Sequence, residues 1–299
     1  MSDTPNKTGD TKGRGPGDWL QAKVVLSLLW FLRLLPYPKR VAVGGWLFQH
    51  LLAPVAGHRK RIRANLALVW SDLPRDRVED LVRQVPNFVG RTVTELFSPR
   101  DFSEVARQAP VTGPGLAVLE ECRAAGRPVI LVSGHFGNYD VVRAGLGARG
   151  FEIGALYRPM DNRYFNDAYL ASILQIGAPL FPRGREGMAD MVRFLKRGGA
   201  LAVLIDQHMR QGEPLNFFGK TAMTATSTAK LAIKYDAPIV PFYSIRQPDG
   251  LSFELVLEAP VERGTAEEMT QALNDSLEAR VRANPEQWLW SHRRWKGAK

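Results

Sequence analysis

Between Asp18 and Gly57 apolar positions dominate the chain. Trp19 and Leu20 lead to a run of nine residues, Val24 to Leu32, bracketed by Lys23 and Arg33. Crossing a bilayer takes about twenty apolar residues. The run therefore either lies in the membrane interface or forms one tilted span whose flanking cations snorkel. A second apolar stretch, Val41 to Gly57, is interrupted by Gln49, His50 and Pro54. Amphipathic helix patterns follow from His58 to about Phe97. From Pro110 the period changes. Short apolar runs at 128–133, 151–157, 200–205, 238–245 and 252–257 read as buried strands. Helical patterns fill 138–149, 163–177, 186–198, 224–236 and 266–284. Strands alternating with helices of this length predict an α/β fold, with a largely parallel central sheet flanked by helices. An N-terminal helical, membrane-associating portion precedes it. The expected division is a disordered tail over 1–17, a helical membrane-associating region over 18–100 and an α/β domain over 101–299.

Charge sharpens the membrane reading. The 299 residues carry a net charge of +10, and residues 1–63 hold eleven Lys/Arg against three acids. Arg293, Arg294, Lys296 and Lys299 add a second basic block, so the middle of the chain is slightly acidic. Trp19, Trp30, Trp46 and Trp70 lie early and Trp288, Trp290 and Trp295 late, with none between. Indole beside Lys/Arg suits a layer of anionic lipid headgroups; the other reading is core tryptophans with solvated charges. Basic and aromatic residues are not interleaved on one face, and no reading helix is recognisable, so nucleic acid is not an expected partner. The first residues lack the pattern of a cleaved secretory signal. A single cysteine, Cys122, excludes a disulfide framework and a Cys-based zinc site.

The sharpest local feature is Ser133-Gly134-His135-Phe136-Gly137-Asn138-Tyr139-Asp140. A buried strand ends, glycines permit a tight turn, and a helix begins. Five positions along one helix rotate by about 140°. His135 and Asp140 therefore meet only if the imidazole sits in the turn and the carboxylate in the first helical turn. Such a pair makes a general base, because the carboxylate fixes the tautomer and stabilises the imidazolium. Backbone N–H groups after Gly137 are the expected oxyanion donors. No Gly-X-Ser-X-Gly elbow occurs, so a serine nucleophile is not indicated. Gly145-Leu146-Gly147-Ala148-Arg149-Gly150 spells a dinucleotide fingerprint but ends a helix instead of opening one.

Further blocks accompany this turn: Leu156-Tyr157-Arg158-Pro159-Met160-Asp161-Asn162, Leu204-Ile205-Asp206-Gln207-His208, Phe217-Phe218-Gly219-Lys220, Ala237-Pro238-Ile239-Val240-Pro241 and Trp290-Ser291-His292-Arg293-Arg294-Trp295. In this order the chain, over roughly 20–296, resembles the bacterial lipid A biosynthesis (late, secondary) acyltransferases. More distantly it resembles the glycerolipid and lysophospholipid acyltransferases, which share a His followed five positions later by an acid. The family often carries Glu where this chain has Asp140.

The resemblance implies an O-acyltransferase at the cytoplasmic face of a bacterial inner membrane, held there peripherally or by a single-span anchor. His135 would deprotonate a hydroxyl of a lipid A precursor, oriented by Asp140. The oxygen would attack an acyl thioester on acyl carrier protein or coenzyme A, and no further cofactor or metal is implied. Arg158 would bind phosphate or support the oxyanion, and Arg183 is the nearest match to a further family arginine. Asp206, Lys220 and Asn138 complete the expected substrate-binding set, and His292-Arg293-Arg294 would meet headgroups. The rival readings are acylation of another glycolipid or a lysophospholipid, a metal-dependent hydrolase using His135, Asp140, Asp206 and His208, and a non-catalytic membrane adaptor.

Overall fold

The structure, a computed structural model, describes residues 13–297. Helix α1 (Pro16–Leu32) starts at a proline, whose fixed φ suits a first helical position, and the Asp18 carboxylate accepts from the Gly15 N–H. It buries Ala22, Leu29 and Leu32 and leaves most of its other apolar side chains outward. Helix α2 (Tyr37–Leu47) runs through a π-helical turn at Phe48–Leu52 into α3 (Ala53–Val55), followed by α4 (His58–Val69), α5 (Arg75–Leu96) and α6 (Pro99–Arg107). No helix among the described residues is long and apolar enough to cross a membrane. Twelve of the sixteen large apolar side chains that stand exposed among the described residues lie between Trp19 and Val55. Of the tail expected over 1–17, residues 1–12 fall outside the described residues. Gly13 and Arg14 offer their carbonyls to the Arg163 N–H and the Tyr164 hydroxyl.

The remainder alternates as expected, in the order β1 (Val111–Thr112), α7 (Gly115–Ala124), β2 (Val129–Ser133), α8 (Val141–Gly147), β3 (Ile153–Tyr157), α9 (Arg163–Ile176), β4 (Leu180–Pro182), α10 (Arg185–Lys196) and β5 (Ala200–Leu204). A hairpin of β6 (Glu213–Phe217) and β7 (Lys220–Thr224) intervenes before α11 (Ser227–Tyr235), β8 (Ile239–Arg246), β9 (Phe253–Leu257) and α12 (Ala266–Ala283). The seven-stranded sheet runs β1-β9-β8-β2-β5-β3-β4. Five neighbours, β8 to β4, are parallel; β9 is antiparallel to β8, and β1 follows β9.

Successive residues of β2 face opposite sides of the sheet. Val129 and Leu131 pack with Phe102, Val141 and Ile173, whereas Ile130 and Val132 pack with Phe194, Ala229 and Leu273. Helices therefore cover both faces, which is why β2 is apolar from Val129 to Val132. A third cluster caps the carboxyl ends of the strands: Ile62 and Leu66 of α4, Leu81 and Val85 of α5, Phe217 and Phe218 of the hairpin, and Trp288, Trp290 and Trp295. This divides the tryptophans. Trp19, Trp30 and Trp46 are about half exposed, but Trp288, Trp290 and Trp295 are core. The headgroup reading is corrected likewise for Arg294, while Arg293 stays exposed. Arg294 is fully buried, donating to the Met223 carbonyl, Thr224 Oγ1 and Asn274 Oδ1.

Candidate active site

Strands β2 and β5 are adjacent and parallel, with Ser133 level with Leu204. Two positions beyond each register pair stand His135 and Asp206, so neighbouring strand ends deliver both side chains to one place. The His135 Nδ1 lies 2.7 Å from Asp206 Oδ1, and the His135 backbone N–H donates to Asp206 Oδ2 at 2.7 Å. Asp206 Oδ2 also accepts the Trp288 indole N–H at 2.9 Å. Asp206 is completely buried and the His135 side chain is 20% exposed. Burial alone would raise the aspartate, yet the charge of His135 and its two hydrogen bonds hold the carboxyl well below the usual range. Burial pulls the imidazole down, but the Asp206 charge and hydrogen bond outweigh it, so its pKa lies above the ordinary 6.5. A carboxylate on Nδ1 fixes that nitrogen as the proton-bearing one and leaves Nε2 to accept.

The predicted His135–Asp140 contact is corrected. Asp140 occupies the N-cap position of α8, and its Oδ1 accepts from the Arg143 guanidinium at 2.6 Å, a pair in which both side chains are buried. The Arg143 guanidinium also donates to the Ile173 and Gly177 carbonyls, so Asp140 fastens α8 to α9. Asn138, expected to bind substrate, is fully buried: its amide donates to Glu95 Oε2 and its oxygen accepts from the Asp140 N–H. Glu95 is in turn paired with Arg246 at 2.5 Å inside the protein. Some of the expected oxyanion donors are taken too. Beyond Gly137, the Asp140 N–H donates to the Asn138 side-chain oxygen, and the Val141 N–H to the Asn138 carbonyl.

Two glycines make the turn possible. Gly137 has φ 56°, and a Cβ there would lie 1.9 Å from the Ser244 carbonyl oxygen. At Gly134 a Cβ would meet Leu277 Cδ2 at 2.7 Å and Asp206 Oδ2 at 3.0 Å, against the carboxylate that holds His135.

Around the imidazole stand groups that the sequence did not place beside it. Gln207 Nε2 is 3.5 Å from His135 Nε2, at the limit of a hydrogen bond. The rings of Tyr139 and His292 each meet His135 edge to face at 5.5 Å. Burial, then the charge of His135, lower the His292 pKa against the opposing pull of Asp206, which favours the neutral imidazole. Its backbone is clamped by Asn65, whose amide donates to the Trp290 and His292 carbonyls.

Arg158 and Arg183 follow β3 and β4, neighbours in which Tyr157 is level with Pro182. Both are exposed at the same sheet edge as His135. Strand spacing of about 4.8 Å puts them roughly two and three strands from it. Arg158 pairs with Asp161 at 3.0 Å on the surface. Lys220 is exposed beside a two-residue hairpin turn, Phe218-Gly219, both residues with positive φ. Among the described residues no three His, Cys, Asp or Glu side chains gather as a metal site, so the hydrolase set does not converge.

The profile of the bacterial lipid A biosynthesis acyltransferase family matches residues 6–297. The chain is 28% identical to the lipid A biosynthesis lauroyltransferase of Escherichia coli (strain K12), over 91% of this chain and 90% of that protein. It is 26% identical to a lipid A biosynthesis acyltransferase of Haemophilus influenzae, over 93% and 89%. To the lipid A biosynthesis palmitoleoyltransferase of Escherichia coli (strain K12) it is 24% identical, over 91% and 89%.

Proposed function

Because the chain belongs to the bacterial lipid A biosynthesis acyltransferase family, we propose that it moves a fatty acyl chain from a carrier thioester to a hydroxyl of a lipid A precursor. The observation that carries the mechanism is the His135 Nδ1 held on the buried Asp206 carboxylate. His135 Nε2 takes the hydroxyl proton as the oxygen attacks the thioester carbonyl. The tetrahedral intermediate collapses with cleavage of the C–S bond, and the imidazolium returns its proton to the departing thiolate. Asp206 stabilises the imidazolium between these steps, and such a base contributes on the order of 10²–10⁴-fold. The thioester is already activated, so the scheme uses neither ATP nor a metal. Neutral His292 and Gln207 stand close enough to His135 to donate to the developing oxyanion, and Arg158 and Arg183 suit acceptor phosphates at the same edge.

The donor is acyl carrier protein or coenzyme A, and the acidic surface of the carrier protein suits the net positive charge. The reaction takes place at the cytoplasmic face of the inner membrane. Supporting this is the exposed apolar surface of α1 to α3, with Lys23, Arg33 and Lys39 exposed around it. Incubating the purified protein with an acyl thioester and lipid A precursor should add one acyl mass to the acceptor, and His135→Ala should add none. Lipid A of unchanged mass in a strain lacking the protein would reject this acceptor.

A further inference from the structure

We propose that Trp288 is a positioning residue of the His135–Asp206 pair: its indole N–H pins Asp206 Oδ2, so that Oδ1 is presented to the imidazole. This rests on the reading of His135 as the general base. The two carboxylate oxygens have separate duties. Oδ1 meets the ring Nδ1, while Oδ2 accepts from the His135 backbone and from Trp288 Nε1. Without the indole donor, Oδ2 would keep one partner among the described residues and the carboxylate would be freer to rotate.

The fold builds this contact from two sides. Residues 287–289 pair with the His135 turn: the Gly137 N–H donates to the Gln287 carbonyl at 2.8 Å, and the Leu289 N–H to the His135 carbonyl at 3.1 Å. Phe136 and Trp288 form an antiparallel bridge. The indole is then enclosed by Trp290, at 4.8 Å between ring centroids, and Phe217, at 5.5 Å, leaving it 1% exposed.

A buried indole N–H needs an acceptor. Trp290 and Trp295 use the backbone carbonyls of Pro285 and Phe217. Trp288 instead gives its proton donor to the carboxylate that serves the imidazole, a charge-assisted bond stronger than the other two. It therefore also withdraws negative charge from Asp206. Losing this donor makes the carboxylate a stronger partner for imidazolium, and the base is then neutral only at higher pH.

The test uses the full-length protein in acyl transfer from acyl carrier protein to a lipid A precursor, with kcat and kcat/KM measured against pH. Two variants remove the donor: Trp288→Phe, and site-specific replacement of Trp288 by 3-benzothienylalanine, which keeps the bicyclic shape without the N–H. Trp295→Phe is the packing control. The acid limb of kcat/KM should move upward by about half to one pH unit in both 288 variants, a fraction of the worth of a hydrogen bond to a charged group. Their kcat should fall roughly tenfold, because the base is less well held. Trp295→Phe should leave the limb in place. If Trp288→Phe does not fold, the isosteric variant decides. A wild-type limb in that variant overturns the proposal, even if activity drops. Turnover persisting in His135→Ala would instead refute the general-base reading. Inactive His135→Ala with an unmoved limb at 288 refutes the role of Trp288 alone.

Discussion

In Asp206→Asn the carboxylate becomes an amide of nearly the same shape, and the hydrogen-bond pattern decides what is lost. The amide oxygen must stay at the Oδ2 position, since the His135 and Trp288 N–H groups both donate there. The NH₂ then faces His135 Nδ1, which becomes an acceptor and sends the ring proton to Nε2. The nitrogen needed as base is blocked. Losing general-base catalysis lowers kcat by on the order of 10²–10⁴-fold, about 3–5 kcal/mol of barrier.

Asp140→Asn fails differently. It leaves Arg143, whose side chain is 3% exposed, as a buried cation without its carboxylate. Breaking such a pair costs about 3–5 kcal/mol of folding stability. The lower end is expected here, because the Ile173 and Gly177 carbonyls remain. The assay is saturating turnover per folded molecule, with the folded fraction taken from circular dichroism and stability from urea titration. Asp206→Asn should be nearly dead yet folded. Asp140→Asn should be less stable, with kcat within about threefold of wild type, since its carboxylate does not touch the imidazole. A folded, inactive Asp140→Asn beside an active Asp206→Asn would refute this assignment.

Four other outcomes follow from the structure. Because the folded His135 pKa is raised, kcat/KM should fall with decreasing pH along a limb above 6.5; a limb at or below 6.5 contradicts the pairing. By linkage, the raised His135 stabilises the fold below 6.5 and loses that contribution as pH climbs through its folded value. The depressed Asp206 stabilises above 3.8 and loses its contribution as pH falls through its lower folded value. Urea midpoints should therefore peak between these limits, and His135→Ala should flatten the peak. Gly137→Ala forces a Cβ onto the Ser244 carbonyl at positive φ and should cost roughly 2–4 kcal/mol in urea titration. Trp30→Asp with Phe31→Asp, both more than half exposed, should leave the melting temperature unchanged. The pair should reduce flotation with anionic phospholipid vesicles at least tenfold by removing about 2 kcal/mol of burial or more; unchanged flotation rejects the proposed membrane face.

The strands and helices of the α/β portion were legible because each is a clean run of one period. The expected strand 128–133 is β2 at 129–133, and the expected helix 163–177 is α9 at 163–176. The two-residue β1, the three-residue β4 and the hairpin β6–β7 are too short or too polar to show a period. His135 was legible from its glycine-flanked turn. Its partner was not, because proximity in sequence favoured Asp140, and Asp206 becomes a neighbour only once β5 is known to lie beside β2. Both residues end buried strands, and that shared placement was the available signal. Trp288 and His292 were hidden for the same reason: nothing local to residues 288–292 says that they return to residue 135.

The site is assembled from pieces made at different times. Asp206 is synthesised 71 positions after His135, and Trp288 another 82 positions after Asp206. At ribosomal speeds this separates imidazole from indole by roughly 8–30 s. The helices with exposed apolar side chains are translated earlier still, so a nascent chain carries that surface well before the proposed base is fully enclosed. A lesion that halts translation between residues 206 and 288 would leave a polypeptide with the exposed apolar helices and the His135–Asp206 pair but without the indole that closes on it.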